Sequence, residues 1–145
     1  MSTTAPCSTG AYQAVGDEAV EWACRACEAC VPVDGDWSED DVRSAVHEGR
    51  SIVFLWRDGD TVAGLGVTPG PEGWILGPFH MEGHPSLLRR SSHEIMALVR
   101  SEAAERGITD LYTYITLGDP NSQKLLAWHG DCGFVPDLVR LRGSV

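Results

Sequence analysis

The second half of the chain alternates strand and helix signals, and this order restricts its possible folds more than any other feature. Residues 73–82 predict a strand, and residues 86–106 predict a long helix that stops at a glycine. Residues 111–116 predict a second strand, which a Pro-Asn turn separates from a short helix. Two strand ends beside a helix N-terminus form a place where backbone N–H groups can bind a phosphate.

The first half of the chain supplies the elements that complete this pattern. In order, they are a short strand at 11–15, a helix that Asp17 opens and Pro32 ends, a helix with Ser38 as N-cap that ends at 47–49, and strands at 51–56 and 61–67. An Asp-Gly pair between the last two strands predicts a tight hairpin. Residues 135–141 predict a final strand.

The complete order is strand, two helices, a three-strand meander, helix, strand, helix, strand. It resembles the GNAT superfamily of N-acetyltransferases along nearly the whole chain. The resemblance implies an α+β, three-layer fold, in which about four helices flank a mixed, mostly antiparallel central sheet of six to seven strands. Residues 1–145 are then a single domain, with 1–10 as a loose lead-in.

The charge of the chain is unevenly distributed and excludes several classes of partner. The 145 residues carry a net charge of −10. All of it lies in residues 1–85, while 86–145 are neutral overall. An acidic chain repels nucleic acid and anionic membranes, so neither is an expected partner. No apolar run approaches the ~20 residues of a membrane span, and the N-terminus lacks the features of a secretion signal, so a cytoplasmic location is expected.

The resemblance implies acetyl-CoA as co-substrate and indicates where it binds. In the family, the turn before the long helix usually reads Arg/Gln-x-x-Gly-x-Gly/Ala. In residues 87–92, which align with it, a leucine stands at the first position, Arg90 at the first glycine and Ser92 at the last position, within the cluster Arg89, Arg90, Ser91 and Ser92. Guanidinium groups and hydroxyls could bind phosphates there. The alternative is that both arginines are ordinary helix-surface residues.

The resemblance also implies cofactor contacts outside this turn. The end of the preceding strand, with Phe79 and Met81, would bind the pantetheine arm and pyrophosphate through backbone amides. Asn121 lies where the family often has an asparagine that contacts the pantetheine arm. The alternative for Asn121 is a residue that begins the last helix.

Three residues are candidates for proton transfer. The family usually takes its acid from a tyrosine four residues before the glycine of a Gly-Phe pair, and His129 occupies that position here. Histidine can donate a proton near neutral pH. His80 and Glu82 are candidate bases, since strand alternation puts them on one face. The alternatives are a histidine that closes the last helix and an ordinary polar strand end.

The spacing Cys24-x-x-Cys27-x-x-Cys30 suggests a metal site but does not predict one. Iron–sulfur sites with such runs need a fourth cysteine nearby and a loop that wraps the cluster, and neither is present. Small hydrophobic residues of a helix explain the pattern, so we expect no metal.

Two functions from different classes remain open. The first is acetyl transfer from acetyl-CoA to an amine, with a small-molecule amine or basic peptide as acceptor. The second is a catalytically weak or inactive GNAT-fold protein with a structural or binding role. Residues 84–92 and 121–134 look like GNAT-like proteins of bacteriophages, some of which are internal virion proteins. This second resemblance implies virion assembly partners and a location inside the virion. A homodimer is a further possible assembly.

Overall fold

The computed structural model describes residues 10–30, 37–115, 118, 120–138, 141 and 143–144. The chain consists of two units. Residues up to Thr113 form the first, which we name the sheet unit, and residues from Tyr114 form the C-terminal unit.

The described residues of the sheet unit form one six-stranded sheet and three α-helices. Its elements are β1 (Gly10–Ala14), α1 (Gly16–Cys30), α2 (Glu39–His47), β2 (Ile52–Asp58), β3 (Thr61–Pro69), β4 (Trp74–Leu76), β5 (His80–Glu82), a 3₁₀ turn (Pro85–Leu87), α3 (Leu88–Glu105) and β6 (Leu111–Thr113). The strand order is β1-β2-β3-β4-β6, with β5 paired to β3. Of the strands that the structure describes, only β4 and β6 pair in parallel. The C-terminal unit contains α4 (Ser122–Asp131). The predicted α+β class, sheet and helices are confirmed.

Local sequence signals set the helix starts and turns of the first half. The Ser38 hydroxyl accepts a hydrogen bond from the Asp41 backbone N–H at 3.2 Å, which satisfies one of the free donors at the start of α2. The β2–β3 hairpin closes with Asp58 opposite Thr61, so its loop has two residues. Gly59 in that loop has a φ of +58°, which glycine adopts without steric cost.

The strand predicted at 73–82 is in fact two strands, so that prediction was wrong. Strand β4 pairs with β3 through Val67 and Leu76, whereas β5 pairs with β3 through Gly64 and His80. Three residues, 77–79, therefore lie opposite two residues of β3, which is a β-bulge. Pro78 explains the break, since it has no N–H to donate to a ladder.

Helices cover both faces of the sheet. On one face, Ala19, Trp22 and Ala26 of α1 pack against Val53 and Leu55 of β2 in a buried cluster. On the other face, α3 contacts β1, β2 and β3 through a buried stripe. That stripe consists of Ile95, Met96, Val99 and Ala103. The sheet is therefore buried between two helical layers, and its strand ends are the places where a ligand can approach.

Two predicted strands near the C-terminus are shorter or absent. The strand expected at 111–116 ends at Thr113, and residue 116 lies outside the described residues. Of the strand expected at 135–141, the described residues 135–138 form none. Pro136 removes a backbone donor and Asp137 has low strand propensity, which accounts for the difference. Among the described residues, no helix is long and apolar enough to cross a membrane.

Candidate active site

The structure brings His80 and Glu82 together at the end of the split strand. Their side chains lie on one face of β5, and His80 Nε2 is 3.1 Å from Glu82 Oε2. The His80 side chain is 16% exposed and that of Glu82 is 39% exposed. Both predicted bases therefore form one hydrogen-bonded pair that solvent can reach.

This pair fixes the proton position on the imidazole. A carboxylate only accepts hydrogen bonds, so Nε2 of His80 must carry the proton that lies between the two residues. The other nitrogen, Nδ1, makes no hydrogen bond to the described residues. In neutral His80, Nδ1 therefore has the free lone pair and is the atom that can accept a proton.

Arg25 of α1 is the second partner of Glu82 and was missed from the sequence. Its Nε lies 3.3 Å from Glu82 Oε1. The N–H is not well directed at the oxygen, so the contact is an ion pair and not a good hydrogen bond. One signal could have indicated it, because Arg25 is the only basic residue of α1, which has four acidic ones.

The pKa of Glu82 follows from these contacts. The hydrogen bond from His80 lowers the pKa of the Glu82 carboxyl, partial burial opposes this effect, and the charge of Arg25 lowers the pKa further. A carboxylate with a lowered pKa is a weaker base. The predicted role of Glu82 as base is thus less favourable than a role in which it holds His80.

Trp22 forms the wall behind His80. Its ring centroid is 6.3 Å from that of the imidazole, and the residue is only 2% exposed. Trp22 packs against Gly64, the β3 residue opposite His80. Its Nε1–H is buried and finds no hydrogen-bond partner in the described part of the chain. The imidazole therefore has an apolar surface on its α1 side.

Ser91 and Ser92 do not present hydroxyl donors at the surface, contrary to expectation. They are 0% and 1% exposed. Each hydroxyl donates to a carbonyl of the preceding turn, at 3.1 Å from Leu88 O and Arg89 O respectively. The reason is that the 3₁₀ turn brings the chain into helix before Ser91, so both side chains face inward.

The two arginines at the start of α3 differ in their surroundings. Arg90 Nε lies 2.9 Å from Glu94 Oε2, and its guanidinium stacks on Trp56 at 5.8 Å from the ring centroid. Arg89 is exposed and forms no ion pair with the described residues. Arg90 thus matches the helix-surface alternative, and Arg89 is the arginine available to an anion.

Phe79 and Met81 lie beside this helix start. Phe79 is part of the bulge and half-buried. Met81 points to the α3 side of the sheet, with its Sδ 3.8 Å from the Ser91 hydroxyl oxygen. The Met81 side chain therefore packs against the start of α3.

His129 and Asn121 belong to the C-terminal unit. His129 Nδ1 is 2.7 Å from Leu125 O, and its ring lies edge-on to those of Trp128 and Phe134. A carbonyl only accepts, so Nδ1 carries a proton and Nε2 is the atom that exchanges one with a partner. Asn121 is the N-cap residue of α4, without a capping hydrogen bond from its side chain.

A cavity of about 520 Å³ lies at the opposite end of the sheet from His80. It is lined by the last residues of β1 and β3, the first of β2 and β4, and the end of α3, including Trp74 and Arg106. It contains none of the candidate site residues.

Neither a protein-family model nor a curated protein sequence matches the chain at a significant level. A structure of AAC(6')-Iy with the bisubstrate analogue CoA-S-monomethyl-acetylneamine superposes with a TM-score of 0.68, at 14% identity, over 95% of this chain and 99% of that one. The chain has the GNAT fold. This confirms the fold predicted from the order of elements.

Two further structures with the GNAT fold are similar. Both are of meta-AAC0020, an aminoglycoside acetyltransferase from an uncultured soil metagenomic sample. The complex with trehalose gives a TM-score of 0.64 and the complex with sisomicin gives 0.63. Each is 10% identical and covers 93% of this chain and 95% of the other.

Proposed function

We propose that this protein transfers an acetyl group from acetyl-CoA to an amine, with His80 as the base. One observation carries the proposal: the GNAT fold holds an oriented His80–Glu82 pair at the strand end that precedes α3. The pair leaves His80 Nδ1 free to accept a proton, as a general base requires.

The proposed reaction needs one proton removed and one supplied. The amine nitrogen forms a bond to the acetyl carbon, and the carbon–sulfur bond of the thioester breaks. His80 Nδ1 takes the proton that the nitrogen loses. His129 belongs to the C-terminal unit and stays a prediction as the acid; only its doubly protonated form has a proton on Nε2 to give, because Nδ1–H is bonded to Leu125 O. Glu82 stabilises the imidazolium that forms at His80.

The start of α3 has features that favour a phosphate-bearing co-substrate. Acetyl-CoA supplies the acetyl group as an activated thioester. Arg89 is exposed at the start of an 18-residue helix, where the dipole also favours negative charge. We assign the phosphates to Arg89 and the dipole of α3, and the contact of Asn121 with the pantetheine arm stays a prediction.

For the acceptor we propose a cationic amine. The net charge of −10 attracts polyamines, including aminoglycosides, and raises the rate of their association. Sisomicin is bound by one of the proteins that share the fold. The bacteriophage resemblance, a homodimer, virion partners and the cellular location stay predictions.

The direct test measures both substrates. Calorimetry is expected to show acetyl-CoA binding at micromolar concentration. Thiol release with sisomicin and with a lysine-containing peptide is expected to show turnover. No heat at millimolar acetyl-CoA would refute the proposal and favour the binding-protein alternative. Binding without turnover on any amine would refute the catalytic part alone.

Arg89→Gln is expected to weaken acetyl-CoA binding about fivefold, or ~1 kcal/mol, because the contact is solvent-exposed. Arg90→Gln is expected to have a smaller effect, since Glu94 already pairs with Arg90. Arg50→Gln is the control for both variants: Arg50 is exposed and, like Arg90, pairs with one carboxylate, but it lies away from α3. Equal dissociation constants for Arg89→Gln and Arg50→Gln in calorimetry would contradict the assignment of the phosphates.

A further inference from the structure

Arg25, Glu82 and His80 form a continuous chain of contacts across two elements. Arg25 comes from α1, and the other two come from β5. The contacts are 3.3 Å from Arg25 Nε to Glu82 Oε1 and 3.1 Å from Glu82 Oε2 to His80 Nε2. Each carboxylate oxygen therefore has its own partner, and neither has to serve both.

We propose that Arg25 is a positioning residue, which fixes the orientation of Glu82 and thereby keeps the proton of neutral His80 on Nε2. The catalytic meaning of this role depends on the proposed function, because it is the lone pair on Nδ1 that would accept the amine proton. The positioning itself is a property of the folded protein and does not require turnover.

The physical reason is the freedom that Glu82 would otherwise have. Its side chain is 39% exposed at the end of a three-residue strand, so the packing around it is loose. A glutamate held by one hydrogen bond alone can rotate away and release Nε2. Arg25 restrains the second oxygen, and its charge favours the ionised carboxylate, which is the form that accepts from Nε2–H.

Within the described part of the chain, Arg25 has one competing partner. Glu21, one turn earlier on α1, lies 3.9 Å from Arg25 Nη1, at a side-chain exposure of 77%. Exposed helix pairs of this kind contribute little. The shorter contact, to the less exposed Glu82, therefore determines where the guanidinium lies. Glu21 only adds a second negative charge near it.

A purely structural role would join α1 to β5 without affecting His80. The two roles differ in what they change at the imidazole. If Arg25 positions Glu82, its loss redistributes the proton between the two ring nitrogens. If it only joins two elements, its loss changes stability and leaves the ring unaltered.

The experiment compares Arg25→Gln and Arg25→Lys with the unmodified protein by ¹⁵N NMR of His80 and ¹³C NMR of the Glu82 carboxyl. In Arg25→Gln we expect an Nδ1–H population to appear and the pKa of Glu82 to rise toward its ordinary value. Turnover is expected to fall about tenfold without a change in KM for acetyl-CoA. Arg25→Lys keeps the positive charge, so its His80 spectrum, its Glu82 pKa and its turnover are expected to lie between those of Arg25→Gln and of the unmodified protein.

Arg43→Gln is the matched control. Arg43 is equally exposed, at 40% against 39%, and pairs with Asp17 and Glu39 away from β5. This variant is expected to keep the wild-type His80 and Glu82 spectra. Unchanged spectra in folded Arg25→Gln would overturn the proposal, and so would Arg25→Lys spectra that are no closer to wild type than those of Arg25→Gln. Absence of acetylation in the unmodified protein, with the Nε2–H signature present, would refute the proposed function and leave the positioning role standing.

Discussion

Replacing His80 by glutamine is expected to lower kcat for acetyl transfer by about 10²–10⁴-fold, the usual contribution of a general base. Glutamine can still contact Glu82 but has no group that accepts a proton near neutral pH. The half-buried position on β5 tolerates its size, so the fold should be retained. The measurement is kcat with saturating acetyl-CoA and amine.

Two controls separate chemistry from binding. Calorimetry of His80→Gln should give the wild-type affinity for acetyl-CoA within about twofold. His47→Gln, at the exposed end of α2, should keep wild-type turnover. Wild-type kcat in His80→Gln would mean that another group takes the proton.

Gly64→Ala is expected to destabilise the protein by about 3 kcal/mol, at the upper end of typical overpacking costs. A methyl group there would lie 2.7 Å from the Phe54 backbone oxygen and 2.9 Å from Trp22 Cζ2. Neither can move easily, because both Phe54 and Trp22 are buried in the core. The expected decrease in melting temperature is roughly 10 °C.

The control for this variant lies on the same strand. At Gly66 the nearest atom to an added methyl is Ser51 Oγ at 3.7 Å, an ordinary contact. Gly66→Ala is therefore expected to be neutral or slightly stabilising, because alanine loses less backbone entropy on folding. Equal melting temperatures for the two variants would show that the sheet relaxes around Gly64.

Local chemistry made much of the fold predictable. The Ser38 cap, the Asp-Gly hairpin and the glycine stop after α3 each depend on a few neighbouring residues, and the structure contains all three. The predicted strand at 135–141 had no such support beyond its apolar residues, and residues 135–138 form no strand.

The site was less predictable, since it depends on contacts distant in sequence. His80 and Glu82 were found because alternation along a short strand is a local rule. The ion pair of Arg25 joins residues 57 positions apart, and a single basic residue in an acidic helix does not specify which carboxylate it pairs with. Likewise, the inward rotation of Ser91 and Ser92 depends on a 3₁₀ turn that their own sequence does not encode.

The bulge at 77–79 shifts the pairing register with β3 by one residue. Had the ladder continued in the register that pairs Val67 with Leu76, Phe79 would stand opposite Gly64. Phe79 and Met81 would then face α1, and the imidazole and carboxylate would turn toward α3. The extra residue puts His80 opposite Gly64 instead. One inserted backbone unit thus decides whether this edge of the sheet presents apolar side chains or an acid–base pair to Trp22 and Arg25.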